Sequence, residues 1–315
     1  MARRIVLDTD IGTDVDDALA LALALASPEM ELVAVTTVSG DVGLRARIAA
    51  RLLALAGRPD VPVHAGCAKP FASVGGFAAF GHEGQGILDD GPAAVAAEPA
   101  VEALLRLFRP GAELELVAVG PLTNIAAALA RDPGLARRIA RLTLMGGWIR
   151  GAAVDGKPLL PSVDYNLCSD SVASQRVLSA GIPTRLVPVD VTVRVWLTEG
   201  DVEGLARAPA PPHRALARAV RIWAPIQRHL FAGLGTPLAP DVMAFLHDPL
   251  ALACASDESF CTIEELAIEP ATVDGVFRTL ERPAGAPGAF PMRCATAVDA
   301  ARFTAHVRRR LRLMS

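Results

Sequence analysis

The chain has 315 residues, 52% hydrophobic and 21% charged, with a formal net charge of -3 at pH 7. It is long enough to bury a sizeable core, and with no basic block it gives no support to a nucleic-acid groove. The five cysteines form no CxxC pair and are odd in number, which argues against a disulfide framework or zinc site and for a reduced, cytoplasmic setting.

A strand is expected at once after Arg3-Arg4, leaving no signal peptide. No uncharged apolar run reaches the roughly 20 residues of a membrane span. The first strand is expected over Ile5–Asp8 and the first helix over Asp17–Ala26. Between them, Asp8, Asp10, Asp14, Asp16 and Asp17 put five carboxylates within ten positions. Such a group repels itself unless a cation sits among it, and a hard ion with oxygen ligands is the natural counter-charge. A solvated acidic turn with a helix start accounts for Asp16 and Asp17, but not for all five.

Strand-like and helix-like runs then alternate. A strand over Glu31–Val38 ends in Thr36-Thr37-Val38-Ser39-Gly40-Asp41, and a helix over Gly43–Ala56 leads to a strand over Val61–His64. Residues 66–96, with Gly81-His82-Glu83-Gly84-Gln85-Gly86, read as a long functional loop. A helix over Ala100–Phe108 and a strand over Leu114–Val119 run into Gly120-Pro121-Leu122-Thr123-Asn124 and a helix over Thr123–Ala130. A strand over Leu142–Met145 opens a second long loop, 146–163. A helix over Ser171–Ala180 and a strand over Thr184–Val189 follow, the strand ending in Asp190.

The spacing then predicts a long helix over 211–233, kinked or broken near Pro225. Trp223, Gln227 and Phe231 share one face of it, suited either to core or dimer packing or to a nucleobase. His247-Asp248-Pro249 opens a helix ending near Ala255. Strands around Glu265–Ile268, Gly275–Glu281 and Met292–Ala295 precede an Arg-rich closing helix from near Val298. The alternation argues an α/β fold: one domain over 1–315, an open, mostly parallel sheet flanked by helices. Polar and Gly-rich positions gather at the carboxyl ends of its strands, where such sheets bind ligands.

The motifs Asp8-Thr9-Asp10-Ile11-Gly12 with Asp16-Asp17-Ala18, Thr36-Thr37, Gly120-Pro121-Leu122-Thr123-Asn124, Met145-Gly146-Gly147, Asp164-Tyr165-Asn166 and His247-Asp248 occur in one order. That series resembles the calcium-dependent, inosine-uridine preferring nucleoside hydrolases, over nearly the whole chain. The resemblance implies cleavage of the N-glycosidic bond of ribonucleosides by homodimers or homotetramers that need Ca2+, while composition and hydropathy lead to the expectation of no nucleic-acid or membrane partner. It implies metal ligation by Asp10, Asp17, Asp248 and the carbonyl of Val119. Asp10 would also be the general base towards a calcium-bound water, and His247 the acid that helps the base leave. Asp16 and Asn166 would contact the ribose, with Met145 packed near it. Asp41 stands where many members have a ribose-binding Asn, and Asp164 where they have Glu. Pro158 stands where another sugar-binding Asn is expected, and Asp14 is an extra carboxylate able to compete for the metal. These departures put the sugar pocket in question. His82, in the Gly-rich loop, is a candidate pocket lid.

Two other readings compete. Asp8-Thr9-Asp10 looks like the acid pair of a haloacid dehalogenase-type phosphatase, which wants a phosphate-binding lysine; the chain has only Lys69 and Lys157. A nucleoside-binding protein of the same fold without turnover would leave the pairing of Asp10 with His247 without a purpose.

Overall fold

The computed structural model describes residues 2–72, 79–91, 93–154, 156–159 and 163–312. Residues 73–78 and 92 of the expected 66–96 loop, and 155 and 160–162 of the expected 146–163 loop, lie outside the described residues. In chain order the strands are β1 Arg3–Thr9, β2 Met30–Thr37, β3 Val63–Ala65, β4 Glu115–Ala118, β5 Arg141–Met145, β6 Ala152–Val154, β7 Lys157–Leu159, β8 Thr184–Val187, β9 Trp196–Leu197, β10 Ala244–Phe245, β11 Cys261–Val273, β12 Val276–Arg282 and β13 Phe290–Val298. The helices are α1 Asp16–Leu25, α2 Val42–Leu55, α3 Ala100–Leu107, α4 Thr123–Arg131, α5 Tyr165–Ser169, α6 Ser171–Leu178, α7 Val189–Thr192, α8 Glu199–Arg207, α9 Pro211–Gly233, α10 His247–Ser256 and α11 Ala300–Arg310.

Nine strands form one sheet in the order β12-β11-β13-β8-β5-β4-β1-β2-β3. From β13 to β3 every neighbouring pair is parallel, and β11 runs antiparallel to both β13 and β12. The register aligns the carboxyl ends: Thr9 pairs with Thr37, Asp8 with Ala118, Ala118 with Leu144, and Met145 with Val187. The sheet is apolar on both faces, as one covered on both sides must be. Ile5 and Leu7 join a core cluster with α1, α2 and α10, while Val6 joins the opposite cluster with α3, α4 and α6.

Three expectations need correction. Helix α9 is not broken at Pro225. The proline removes one helical N–H, but Leu216, Val220, Trp223, Ala224 and Gln227 bury its face and hold the helix together. The 146–163 segment is not all loop, since it contains the antiparallel β6–β7 pair. The closing strands are longer than their apolar centres, because cross-strand pairing carries β11 and β12 out to the turn at Asp274-Gly275. Helix α8 adds an element the apolar periodicity does not reveal. Its signal is a capping box, Thr198 with Asp201. Among the described residues no helix is long and apolar enough to cross a membrane.

Candidate active site

The acidic run turns out of β1 into α1. Thr9 Oγ1 donates to Asp17 and accepts from Ile11 N at 3.1 Å, which fixes the turn between them. Gly12 follows at φ +123°, and a Cβ there would meet Ile48 Cδ1 at 2.7 Å, so the turn presses on α2. Asp16 and Asp17 open α1, where the free N–H groups of a first turn favour carboxylates.

Helix α10 packs beside α1 and brings in the far end of the chain. Asp248 N donates to Asp16 Oδ2 at 3.4 Å, and Asp17 N donates to Asp16 Oδ1 at 3.1 Å. Carboxylate oxygens of Asp16, Asp17 and Asp248 all lie within 4.8 Å of one another. Asp10 is outside that tightest set, yet its charge pushes up all three carboxyls. Burial is the first cause of each rise and repulsion among the aspartates adds to it. Asp10 itself is raised by burial, opposed by Arg45, whose Nη2 lies 4.0 Å from Asp10 Oδ2. Asp14 accepts from Val15 N at 2.6 Å and Asp16 N at 3.4 Å, so it braces the start of α1.

This donor set suits a hard divalent cation. It consists of oxygens, it is buried, and burial with mutual repulsion holds its carboxyls above their usual range, which a bound cation would offset.

The other carboxyl strand ends close around it. Asp8 is fully buried, accepts from Thr36 and from Asn124 Nδ2 at 2.7 Å, and is pushed up to about 7 by burial. Asn124 also donates to Thr37 O at 3.0 Å and accepts from Cys67 N at 2.8 Å, stitching β1, β2 and the following loop. Asn166 Nδ2 donates to Val119 O at 2.9 Å and Met145 O at 3.1 Å. Its amide thus ties the ends of β4 and β5, leaving its carbonyl oxygen to accept from a ligand. Asp164 caps α5 through Leu167 N at 2.8 Å and is pushed up to about 6 by burial. Asp41 is exposed and caps α2 through Leu44 N at 2.8 Å. Pro158 pairs with Ala153 in the β6–β7 hairpin, where it is exposed.

An aromatic cluster adjoins the turn after β1. His82 Nε2 lies 2.8 Å from Thr13 O, and its ring stacks on Trp223 at 5.7 Å and 30°. Trp223 Nε1 donates to Gln227 Oε1 at 3.3 Å, and that oxygen also accepts from Phe245 N at 3.2 Å. Phe231 and His247 pack on the Phe245 ring at 5.0 and 5.2 Å. His247 Nδ1 lies 2.7 Å from Thr192 Oγ1, and burial pushes its imidazole down to about 4. The shared face of Trp223, Gln227 and Phe231 therefore packs within the chain.

Sequence reasoning gave no role to Arg45, Tyr165 or Thr192. Arg45 is anchored on Ser39 O at 2.7 Å, Ile11 O at 3.1 Å and Thr13 Oγ1 at 3.1 Å, and it bonds the Tyr165 hydroxyl. Its signal was a lone charge on the same apolar stripe as Ile48, Ala49 and Leu52.

Fold and site together define an α/β protein with a carboxylate centre at the carboxyl edge of its sheet, where such sheets take ligands. Residues 5–305 match the family described as inosine-uridine preferring nucleoside hydrolase. A pyrimidine-specific ribonucleoside hydrolase, RihA of Klebsiella pneumoniae, is 35% identical over 276 residues, covering 84% of this chain and 83% of that one. The plant nucleoside hydrolase PpNRh1 superposes with a TM-score of 0.84 at 26% identity over 99% of each chain. A purine-preferring ribonucleoside hydrolase from Gardnerella vaginalis gives 0.82 at 27% identity over 98% of each chain. The chain belongs to the inosine-uridine preferring nucleoside hydrolase family and is an enzyme of the nucleoside N-ribohydrolase type, as its ordered motifs implied.

Proposed function

We propose that this enzyme hydrolyses the N-glycosidic bond of ribonucleosides to free base and ribose with the help of Ca2+. The observation that carries the reading is the buried set of Asp16, Asp17 and Asp248, drawn from both ends of the chain onto one sheet edge. Asp10, Asp17, Asp248 and the Val119 carbonyl are the residues that would hold the ion. When bound, it supplies Lewis-acid polarisation and a chelating point for vicinal sugar hydroxyls.

The chain's own groups supply the rest. Asp16 accepts from a ribose hydroxyl, as does the carbonyl oxygen of Asn166, with Met145 packed beside the sugar. Asp10 takes the proton of the attacking water as its hydroxyl adds to C1'. The electron pair of the C1'–N bond leaves with the base, and the surrounding carboxylates stabilise the positive charge that develops on the sugar. His247 faces the departing base, and His82 with Trp223 forms the lid. Asp41 and Asp164, which cap helices, shape the pocket from its rim. We further propose that one domain spans the chain and acts in the cytoplasm as a homodimer or homotetramer.

One relative is named pyrimidine-specific and another purine-preferring, so the substrates tested span both base classes. The test is release of reducing sugar from a panel of purine and pyrimidine ribonucleosides and their 2'-deoxy counterparts, with Asp10→Asn as control. Ribonucleosides should be cleaved in calcium and deoxy substrates poorly, and Asp10→Asn should abolish turnover while leaving most binding. Ribose binding without release of base by the wild type would sink the proposal, as would full activity of the variant.

A further inference from the structure

His247 is held through one nitrogen. Its Nδ1 contacts Thr192 Oγ1 at 2.7 Å, whereas Nε2 makes no hydrogen bond among the described residues. Thr192 is fully buried at the end of α7, directly after β8, so its hydroxyl has few choices. A hydroxyl can donate one hydrogen bond and accept others. The other acceptor within reach is Val189 O, at 3.4 Å, and that carbonyl already accepts from Val193 N at 3.0 Å. The shorter bond to an imidazole lone pair is the better use of the threonine proton.

We infer that Thr192 is a positioning residue: its hydroxyl donates to Nδ1 of His247, fixes the Nε2–H tautomer, and so presents an N–H donor to the departing nucleobase. This rests on the reading of His247 as the residue beside the leaving group. Charge accumulates on the base as it takes the C1'–N electron pair, and a donor aimed at that nitrogen is strengthened in the transition state. No proton need leave the imidazole. The one the free base finally acquires balances the one water gives to Asp10. With the opposite tautomer Nε2 would present a lone pair to a nucleobase gaining negative charge, which opposes departure. The ring of Phe245, 5.2 Å from that of His247, restricts its rotation and leaves the tautomer to the hydrogen bond.

The experiment compares wild-type, Thr192→Val, Thr192→Ser and His247→Ala enzymes in saturating calcium. Substrates are inosine, uridine and p-nitrophenyl β-D-ribofuranoside, whose leaving group needs no help. The imidazole 15N shifts of the wild type are read in parallel, and they report the tautomer even if Thr192→Val fails to fold. Wild-type His247 should carry its proton on Nε2. Thr192→Val should lose about tenfold in kcat on the nucleosides, roughly what one hydrogen bond carries. It should keep KM and keep its rate on the activated riboside, and Thr192→Ser should restore turnover. An Nδ1–H tautomer in the wild type overturns the inference, as does equal loss of Thr192→Val on both substrate classes. If His247→Ala is impaired on nucleosides and Thr192→Val is not, the threonine role alone fails. If His247→Ala keeps full nucleoside turnover, the leaving-group reading fails with it.

Discussion

Arg45 Nη2 stands 4.0 Å from Asp10 Oδ2, with both side chains buried. This is the ion pair that brings positive charge into the carboxylate centre among the described residues. The same guanidinium grips the carbonyls of Ile11 and Ser39 and the hydroxyl of Thr13. It therefore holds the turns after β1 and β2 together while offsetting their charge.

Arg45→Met should accordingly weaken the metal-free protein by about 3 kcal/mol, the usual result of stripping one partner from a buried pair. Because the remaining carboxylates then face each other unopposed, added calcium should recover more stability in the variant than in the wild type. Thermal unfolding in EDTA and in calcium measures both. Identical melting temperatures for variant and wild type in EDTA would remove this role from Arg45.

What could be read in the sequence followed from the period of the side chains. The runs Ile5–Leu7 and Leu142–Leu144, apolar but for Thr143, are buried on both faces, so they announced a covered parallel sheet. The aspartates of residues 8–17 stood together in the sequence and stand together in the fold. Asp248 joined them only through the ordered motifs, since no local pattern reports that α10 lies beside α1. Thr192 was hidden because a Thr two residues beyond Asp190 looks like any turn residue, and its partner His247 is 55 positions away. Arg45 was passed over as one arginine among many. Its meaning lay in its neighbours on the apolar stripe of α2. Helix α9 was legible over its whole length, 211–233, and only a break at Pro225 does not occur, because burial that the tertiary structure supplies outweighs the local rule.

The carboxyls of Asp8 and Asp14 are each pushed up to about 7 by burial. An aspartate unfolds to a value near 3.9, so between about 4 and 7 the folded state binds the extra proton. Its contribution is complete below that window and is lost as pH rises through 7. His247 works in the other direction, since burial holds it down to about 4. Its effect is finished once pH passes the unfolded value of about 6.5. Between pH 6.5 and 8 the carboxyls are left to act, so the EDTA-treated protein should lose melting temperature over that interval. Calcium, which takes the place of the protons, should flatten the loss, and its affinity should climb with pH. A melting temperature in EDTA that rises from pH 6.5 to 8 would contradict the account.

Gly120 offers a test of how closely Asp10 must be placed. A Cβ at this position would lie 2.8 Å from Asp10 N and 2.9 Å from Asp10 Oδ1. The first is backbone just past the end of β1 and cannot swing aside, and the second is the Asp10 carboxylate itself, which can make room only by turning away from its place. Gly120→Ala must therefore displace Asp10 or the turn that carries Val119. Overpacking of this kind costs about 1–3 kcal/mol of stability. The effect on turnover should be larger in proportion, about a hundredfold, because a shift near 1 Å in a reacting group is enough for that. Gly151→Ala, where an added Cβ meets nothing within 4 Å, serves as the control and should keep full activity. Urea unfolding separates the stability loss from kcat measured on the folded fraction. A Gly120→Ala enzyme that turns over at the wild-type rate would mean that Asp10 tolerates displacement, and a general base in contact with the attacking water could not.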